Sequence, residues 1–216
     1  MRKGVFLILI LLFPSIVYML FSLGEHRVER LSMLGDYSVD DAGDTSYSVI
    51  PDLHLIGSDG KEFSLRDFEG KPIVLDIFEN PCLEPCRKKG VTLVNYFNDF
   101  GEEEKWVIIS VANDVSIDLD ELRTLHKEHM PEMKNWLFAK PASLSSFDSF
   151  VEYTYVKTGN IATVNDLPSD DYLLIDQQGV MRAFFDSRIY NENRKMGDAI
   201  KLLLKEPFLT WKDEKK

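Results

Sequence analysis

The stretch KPIVLDIFENPCLEPCRKKG, residues 71–90, narrows the fold more than any other part of the chain. Its first half is a short, apolar, β-rich run and reads as a buried strand. Its second half reads as the start of a helix. Pro81 suits the first turn, and Val91, Leu93, Val94 and Phe97 make an apolar stripe at helical spacing. Cys82 and Cys86, the only cysteines in the sequence, fall where the strand hands over to the helix. Residues four apart share one helix face, with Cα atoms roughly 6 Å apart, inside the range a disulfide bridges. Cys82 at the helix N-terminus feels the positive end of the dipole, and Arg87, Lys88 and Lys89 lie one turn on. Both effects favour a thiolate, the form that attacks disulfides and binds soft metals, while Glu84 opposes them in part. A bridge closing so short a loop adds little stability through chain entropy, so a redox or metal role outweighs a purely structural staple. Asp76 stands among apolar residues in the strand. It is expected to be at least half buried and to be a candidate for taking or giving protons.

The same alternation continues along the chain. DLHLIGSDGKEFSL reads as a hairpin around Ser58-Asp59-Gly60, and KWVIISVAND as a second buried strand. SIDLDELRTLHKEHM reads as a helix with an acidic first turn, stopped by Pro131. NWLFAK is a short strand, SLSSFDSFVEYTYV a helix, and YLLIDQQGVMRAFF a hairpin around Gln177-Gln178-Gly179. NENRKMGDAIKLLLKE closes as an amphipathic helix. Together these elements predict an α/β fold of thioredoxin type, a central mixed sheet flanked by helices with an N-terminal hairpin.

The N-terminus sets the compartment. After Met1-Arg2-Lys3, residues 4–24 carry no charge. A helix of that length, rising about 1.5 Å per residue, crosses a hydrocarbon core of roughly 30 Å. Pro14 is tolerated in such a helix. Arg2 and Lys3 hold the N-terminus in the cytoplasm, which puts the rest outside. A cleaved signal peptide is the alternative, with Ser22-Leu23-Gly24 as its cleavage site, although the run exceeds an h-region of about 7–15 residues. The expected organisation is an anchor at 1–24, an acidic flexible tether at 25–48, a thioredoxin-like domain at 49–208 and a charged tail at 209–216. The expected location is a bacterial inner membrane, crossed once, with the domain in the periplasm. The 36 acidic and 25 basic residues leave a surface that repels nucleic acid.

Three features carry a resemblance to a known family: the Cys-x-x-x-Cys pair after a strand at Cys82 and Cys86, the segment VIISVANDVSIDLDELRTLHKEH, and the closing hairpin YLLIDQQGVMRAFF. In these the chain resembles the Sco/SenC family of membrane-anchored thioredoxin-fold proteins. The resemblance implies copper as a ligand and assembly of the copper centre of cytochrome c oxidase subunit II as the setting. Family members serve as a metallochaperone, as a reductase of that centre's cysteines, or as both. It also implies a metal held by the two cysteines and one histidine in the loop before the closing hairpin. Leu167 or Pro168 stands at that place, and no histidine follows His129. Asp170 and Asp171 lie nearby, but hard carboxylates are poor ligands for Cu(I). Leu83 and Arg87 stand where the family tends to place prolines.

The flank LEPCRKK is similar to the active site of TlpA-like thiol-disulfide reductases, which implies supporting roles for Pro85, Arg87 and Lys88. Asp76 matches the buried aspartate that thioredoxins place before their dithiol, and Pro168 is the candidate for their cis-proline. A separate cluster, His126, His129, Met130 and Met133, has soft or borderline metal ligands one helical turn apart. Histidines at a negative helix end, with methionines filling a core edge, account for it better. His54 and His26 read as surface or packing residues. Glu79 stands where peroxiredoxins place a threonine, which argues against peroxidase chemistry. The leading expectation is thiol-disulfide exchange through Cys82 and Cys86. Cu(I) carriage by the same cysteines, a general TlpA-like reductase, and an adaptor whose disulfide is only structural are the alternatives.

Overall fold

The apolar run around Asp76 becomes an interior strand of a seven-stranded mixed sheet. The computed structural model describes residues 12–15, 18, 30–97, 103–129, 135–164, 166 and 171–208. In chain order the strands are β1 (Tyr37–Val39), β2 (Thr45–Tyr47), β3 (His54–Gly57), β4 (Glu62–Ser64), β5 (Ile73–Phe78), β6 (Val107–Ala112), β7 (Trp136–Pro141), β8 (Asp171–Ile175) and β9 (Met181–Asp186). The helices are α1 (Glu84–Phe97), α2 (Leu119–His129), α3 (Leu144–Val151) and α4 (Tyr190–Lys205). The large sheet runs β4-β3-β7-β6-β5-β8-β9. β5 pairs parallel with β6 and antiparallel with β8.

Every residue of β5 and β6 is buried, as expected of central strands covered on both faces. On one face Val74, Phe78, Ile108, Trp136 and Leu174 meet Leu93 of α1, Leu122 of α2, and Met196 and Ile200 of α4. On the other, Leu75, Ile77, Ile109 and Leu173 meet Phe147 and Phe150 of α3. The alternation of side chains along each strand sorts these two sets. Asp76 and Ser110 therefore point to the face that carries α1. This is the thioredoxin-like arrangement that the strand and helix pattern predicts.

Local sequence explains the ends of the elements. Ser143 caps α3 by accepting from the Ser146 N–H at 3.3 Å, and the chain continues past Val151 as a π turn over Glu152–Val156. α4 buries Met196, Ala199, Ile200 and Leu203, the spacing of one helical stripe. The closing hairpin turns at Gly179, where φ is +80° and a Cβ would come within 2.8 Å of Val49 Cγ1, so glycine alone fits.

Three details differ from the expectations. Helix α1 begins at Glu84, so Cys82 precedes it instead of opening it, and the Asn80–Pro81 peptide is cis. Part of the stretch expected as an acidic flexible tether, from Leu31 onward, carries regular structure. It forms the β1–β2 hairpin, and the Leu34 N–H donates to the Met181 carbonyl at 2.8 Å. Polar, acidic residues mislead here because Asp40 is a turn former, accepting from the Ala42 and Asp44 amides at 2.9 Å each. The unit containing the sheet thus starts at Leu31, and residues 1–30 form a separate unit. Among the described residues no helix is long and apolar enough to cross a membrane, and most of the 4–24 run lies outside those residues, as does the 209–216 tail.

Candidate active site

Cys82 and Cys86 are joined in a disulfide, with Cα atoms 5.4 Å apart. Cys82 sits on the short connection between β5 and α1, and Cys86 in the first turn of α1. Both are half-buried against the core, while Leu83 between them is exposed. The Arg87 N–H donates to the Leu83 carbonyl at 3.1 Å and so begins the helical ladder inside the ring that the disulfide closes.

The connection is held from the side by the loop after β6. The Asn80 N–H donates to Asn113 Oδ1 at 3.1 Å, and Asn80 Nδ2 donates to Asp114 Oδ2 at 3.2 Å. The Asn113 N–H in turn donates to the Phe78 carbonyl at 2.9 Å, extending the β5–β6 ladder one step beyond the strands. The hydroxyl and amide of Ser116, followed by Asn80, hold the Asp114 carboxyl below its ordinary range.

Beneath the helix lies a buried polar chain. Asp76 Oδ1 forms an ion pair with Lys89 Nζ, and both side chains are less than one-tenth exposed. Ser110 Oγ donates to Asp76 Oδ2 at 2.7 Å, and Trp136 Nε1 donates to Ser110 Oγ at 2.9 Å. The Lys89 ammonium also lies 4.7 Å from the centre of the Tyr172 ring, a cation–π contact. The Tyr172 hydroxyl donates weakly to the Lys89 carbonyl at 3.5 Å. Burial first, and the Asp76 charge second, push the Tyr172 phenol well above its ordinary value, so it stays neutral.

The structure brings Cys82 and Cys86 together and buries Asp76 on the face that carries their helix. It separates the three basic residues that follow. Lys89 turns inward to Asp76, while Arg87 is exposed and faces Glu128 at 3.4 Å, and Lys88 is exposed. Pro85 stands in the first turn of α1. Leu167, Pro168 and Asp170 lie outside the described residues, and Asp171 is the first residue of β8.

His126 is engaged elsewhere. Its Nδ1 is 3.0 Å from Ser58 Oγ, and its ring stacks on Phe138 with centroids 5.4 Å apart. Met130 and Met133 lie outside the described residues. Among the described residues no three of His, Cys, Asp and Glu gather as a metal site. Reduced, the two cysteines would supply two soft sulfurs for Cu(I), and no described histidine or carboxylate joins them in a group of three.

Sequence reasoning missed Ser110, Trp136, Asn80 and Asn113 as members of this site, and took Lys89 as one of three basic residues favouring a thiolate, not as the partner of Asp76. Lys89 was legible in one respect. It lies on the stripe Cys86–Lys89–Leu93 that faces the strand, so a charged residue there needs a buried partner, and Asp76 is the carboxylate in that strand.

No family model and no curated protein sequence matches this chain. Solved structures do. A SCO1/SenC family lipoprotein from Bacillus anthracis aligns with a TM-score of 0.60 at 20% identity, covering 72% of this chain and 94% of that one. BsSco, described as a member of the Sco family of cytochrome c oxidase assembly proteins with a disulfide switch, aligns with a TM-score of 0.60 at 14% identity, over 79% and 97%. Yeast Sco1 with copper bound aligns with a TM-score of 0.54 at 15% identity, over 72% and 94%. The chain has the thioredoxin-like fold found in Sco/SenC proteins, with a bridged cysteine pair between its central strand and first helix.

Proposed function

We propose that this chain is a membrane-anchored, extracytoplasmic thiol-disulfide oxidoreductase that serves assembly of the copper centre of cytochrome c oxidase. The observation that carries the reading is the Cys82–Cys86 bridge on the connection from β5 into α1, half-buried beside an exposed Leu83. A bridge spanning four residues contributes little to stability through chain entropy, so its value lies in opening and closing. In the reduced chain the Cys82 thiolate attacks a sulfur of the partner's disulfide. A mixed disulfide forms and one partner thiolate leaves. The Cys86 thiolate then attacks Cys82 Sγ, closing the bridge seen here and releasing the second partner thiolate. Two electrons pass to the partner, and the same steps in reverse oxidise a dithiol.

A Cys86→Ser chain is expected to hold its partner as a mixed disulfide, whereas Cys82→Ser is not. Failure of Cys86→Ser to trap a cysteine peptide of subunit II, with both wild-type thiols alkylated by iodoacetamide only at high pH, would remove the reading. The apolar run at 4–24 supports the anchor. Carbonate-washed membranes should retain the chain, with the domain open to protease from the outer side.

Cu(I) carriage is a second reading, favoured by the likeness to copper-bound yeast Sco1 and by the paired sulfurs. With two ligands, binding is two-coordinate or completed by a small thiol. Restoring an imidazole by Pro168→His or Leu167→His should raise Cu(I) affinity by roughly 10–100-fold. Tight binding of one Cu(I) by the wild-type chain, after removal of small thiols, would favour carriage over exchange.

A further inference from the structure

At the end of the sheet away from the disulfide, the start of β5 and the end of β8 line a cavity of about 270 Å³. Ile73 opens β5 and Cys82 follows its last residue, so a six-residue strand, roughly 20 Å long, separates the cavity from the sulfurs. Ile50, Leu65, Ile73 and Ile175 are buried and give it an apolar lining, together with the Phe68 ring and the exposed Val49. Main-chain bonds hold its walls. The Ile50 N–H donates to the Gly179 carbonyl at 3.0 Å, and the Gly70 N–H to the Gln177 carbonyl at 2.9 Å. The Ser64 N–H donates to Asp67 Oδ2 at 2.7 Å, which fixes the 3-10 turn Leu65–Phe68. The hollow is therefore part of the fold. Its volume lies just under that of ligand cavities, roughly 300–1,000 Å³, and suits one ring system rather than an extended chain.

Charge at the lining selects the ligand. The ionisable groups there are Asp52, Glu69, Asp176 and Arg66. Asp176 is already held by Arg182 at 2.9 Å. Asp52 Oδ1 accepts from the Arg66 N–H at 3.3 Å. Asp52 Oδ2 has Arg66 Nε at 3.9 Å and His54 Nε2 at 3.7 Å, both too long for hydrogen bonds. Arg66 is exposed, where an ion pair at that distance is worth little. Glu69 is exposed too, and its carboxylate has no ion pair among the described residues. Two carboxylates thus outnumber the one cation, and beside an apolar wall they attract a positive charge more strongly than in open water. We propose that this cavity binds a small amphipathic cation, an aromatic ring system bearing a primary ammonium. The ring packs against the apolar lining and the Phe68 ring, and the ammonium meets Asp52 and Glu69. The site is separate from the cysteine pair, and the inference stands whether or not the disulfide is redox-active.

The test titrates the full chain with tryptamine and, separately, with indole-3-propionate, an anion of similar shape. Amide shifts in NMR spectra report binding residue by residue, and Tm is measured for each variant. Tryptamine should shift the amides of Ile50, Ile73 and Ile175 and bind at least about tenfold more tightly than the anion, the scale of a hydrogen bond to a charged group. Asp52→Asn/Glu69→Gln should bring the two ligands within about threefold of each other, because the charge preference is gone while the apolar lining remains. Val49→Trp, which fills the cavity from its exposed side, should abolish binding of both. If Val49→Trp does not fold, the double variant carries the test alone. No saturable shift at these amides, tighter binding of the anion, or an unchanged preference in the double variant overturns the inference. A Trp–Lys dipeptide amide that binds more than about tenfold tighter than tryptamine would assign the cavity to a polypeptide partner, and so would overturn it. A dimer in sedimentation that Val49→Trp dissociates would assign it to a second copy of this chain, with the same consequence.

Discussion

Two buried ionic groups serve one sheet, and they are built differently. Near the disulfide, Lys89 presents an ammonium to Asp76, with Ser110 and the Tyr172 ring beside it. Past the other end of β8, Arg182 presents a guanidinium to Asp176 Oδ2 at 2.9 Å and to both oxygens of Glu206 at 2.9 and 3.0 Å. The same side chain donates to the Leu31 carbonyl at 2.8 Å and to the Ser32 carbonyl at 3.3 Å. These acceptors match the five N–H donors of a guanidinium, and Asp176 Oδ1 accepts from the Gln178 and Val180 amides as well. The Arg182 group ties residues 31–32 and the end of α4 to the closing hairpin and is saturated in doing so. An ammonium is a point charge that no fork geometry fixes. Equal burial therefore does not mean equal role. The donor geometry separates a forked clamp from a point-charge contact.

The largest effect that could break this contrast is at the clamp. Arg182→Met leaves Asp176 and Glu206 without their cation, and unfolding in urea should show a loss of about 3–5 kcal/mol. The glutathione equilibrium of the disulfide should not move. A loss below about 1 kcal/mol would mean that the two carboxylates find other partners, and would erase the distinction between the two groups.

A smaller effect tests the chain beneath the helix. Ser110→Ala removes the donor to Asp76 and the acceptor of Trp136 Nε1, leaving buried polar atoms unpaired. Denaturation should register a cost of about 1–3 kcal/mol. A neutral result would mean that water or rearrangement satisfies Asp76, and the pair would be less isolated than its burial implies.

The smallest effects are on pH dependence, away from both pairs. Half-burial lowers the His126 imidazolium's pKa from its ordinary 6.5, with Asp59 opposing. The unfolded chain then binds the proton more readily. Stability is complete above pH 6.5 and falls as pH drops toward the folded-state value. Asp114 behaves likewise at lower pH. Its depressed carboxyl gives stability that is full above its ordinary 3.8 and lost as pH falls through the folded value. Melting curves of His126→Asn should be flatter than wild type between about pH 7 and 5, and those of Asp114→Asn flatter below about pH 4. A His126→Asn curve parallel to wild type would show that the ring is not held by Ser58 and Phe138.

Much of this molecule was open to reading in one dimension, and the limits have a physical form. The apolar runs at residues 73–78 and 107–112, the alternation in YLLIDQQGVMRAFF and the stripe in α4 are local patterns, and each became the element it predicts. The cysteine spacing already placed the sulfurs within bridging range, and Asp76 among β-rich apolar neighbours was bound to be buried. The start of α1 was misread because Pro81 suits a first turn and also suits the turn before it. The stretch at 31–48 was misread because turn-forming aspartates look the same in a hairpin as in a tether.

By itself, then, the sequence determined the order of the main elements after residue 49, the faces of the strands, the bridged pair and its place at a strand–helix junction. Periodicity does this because it depends only on near neighbours and on which side faces water. Only the tertiary structure decided which polar groups meet. It turned Lys89 rather than Arg87 or Lys88 toward Asp76, set Ser110 beneath them, and brought Asn113 to Asn80 and Leu31 to Arg182. A pattern can require that a buried charge find a partner. Which partner it finds depends on strand order and register, and those are settled when distant segments pack into one sheet.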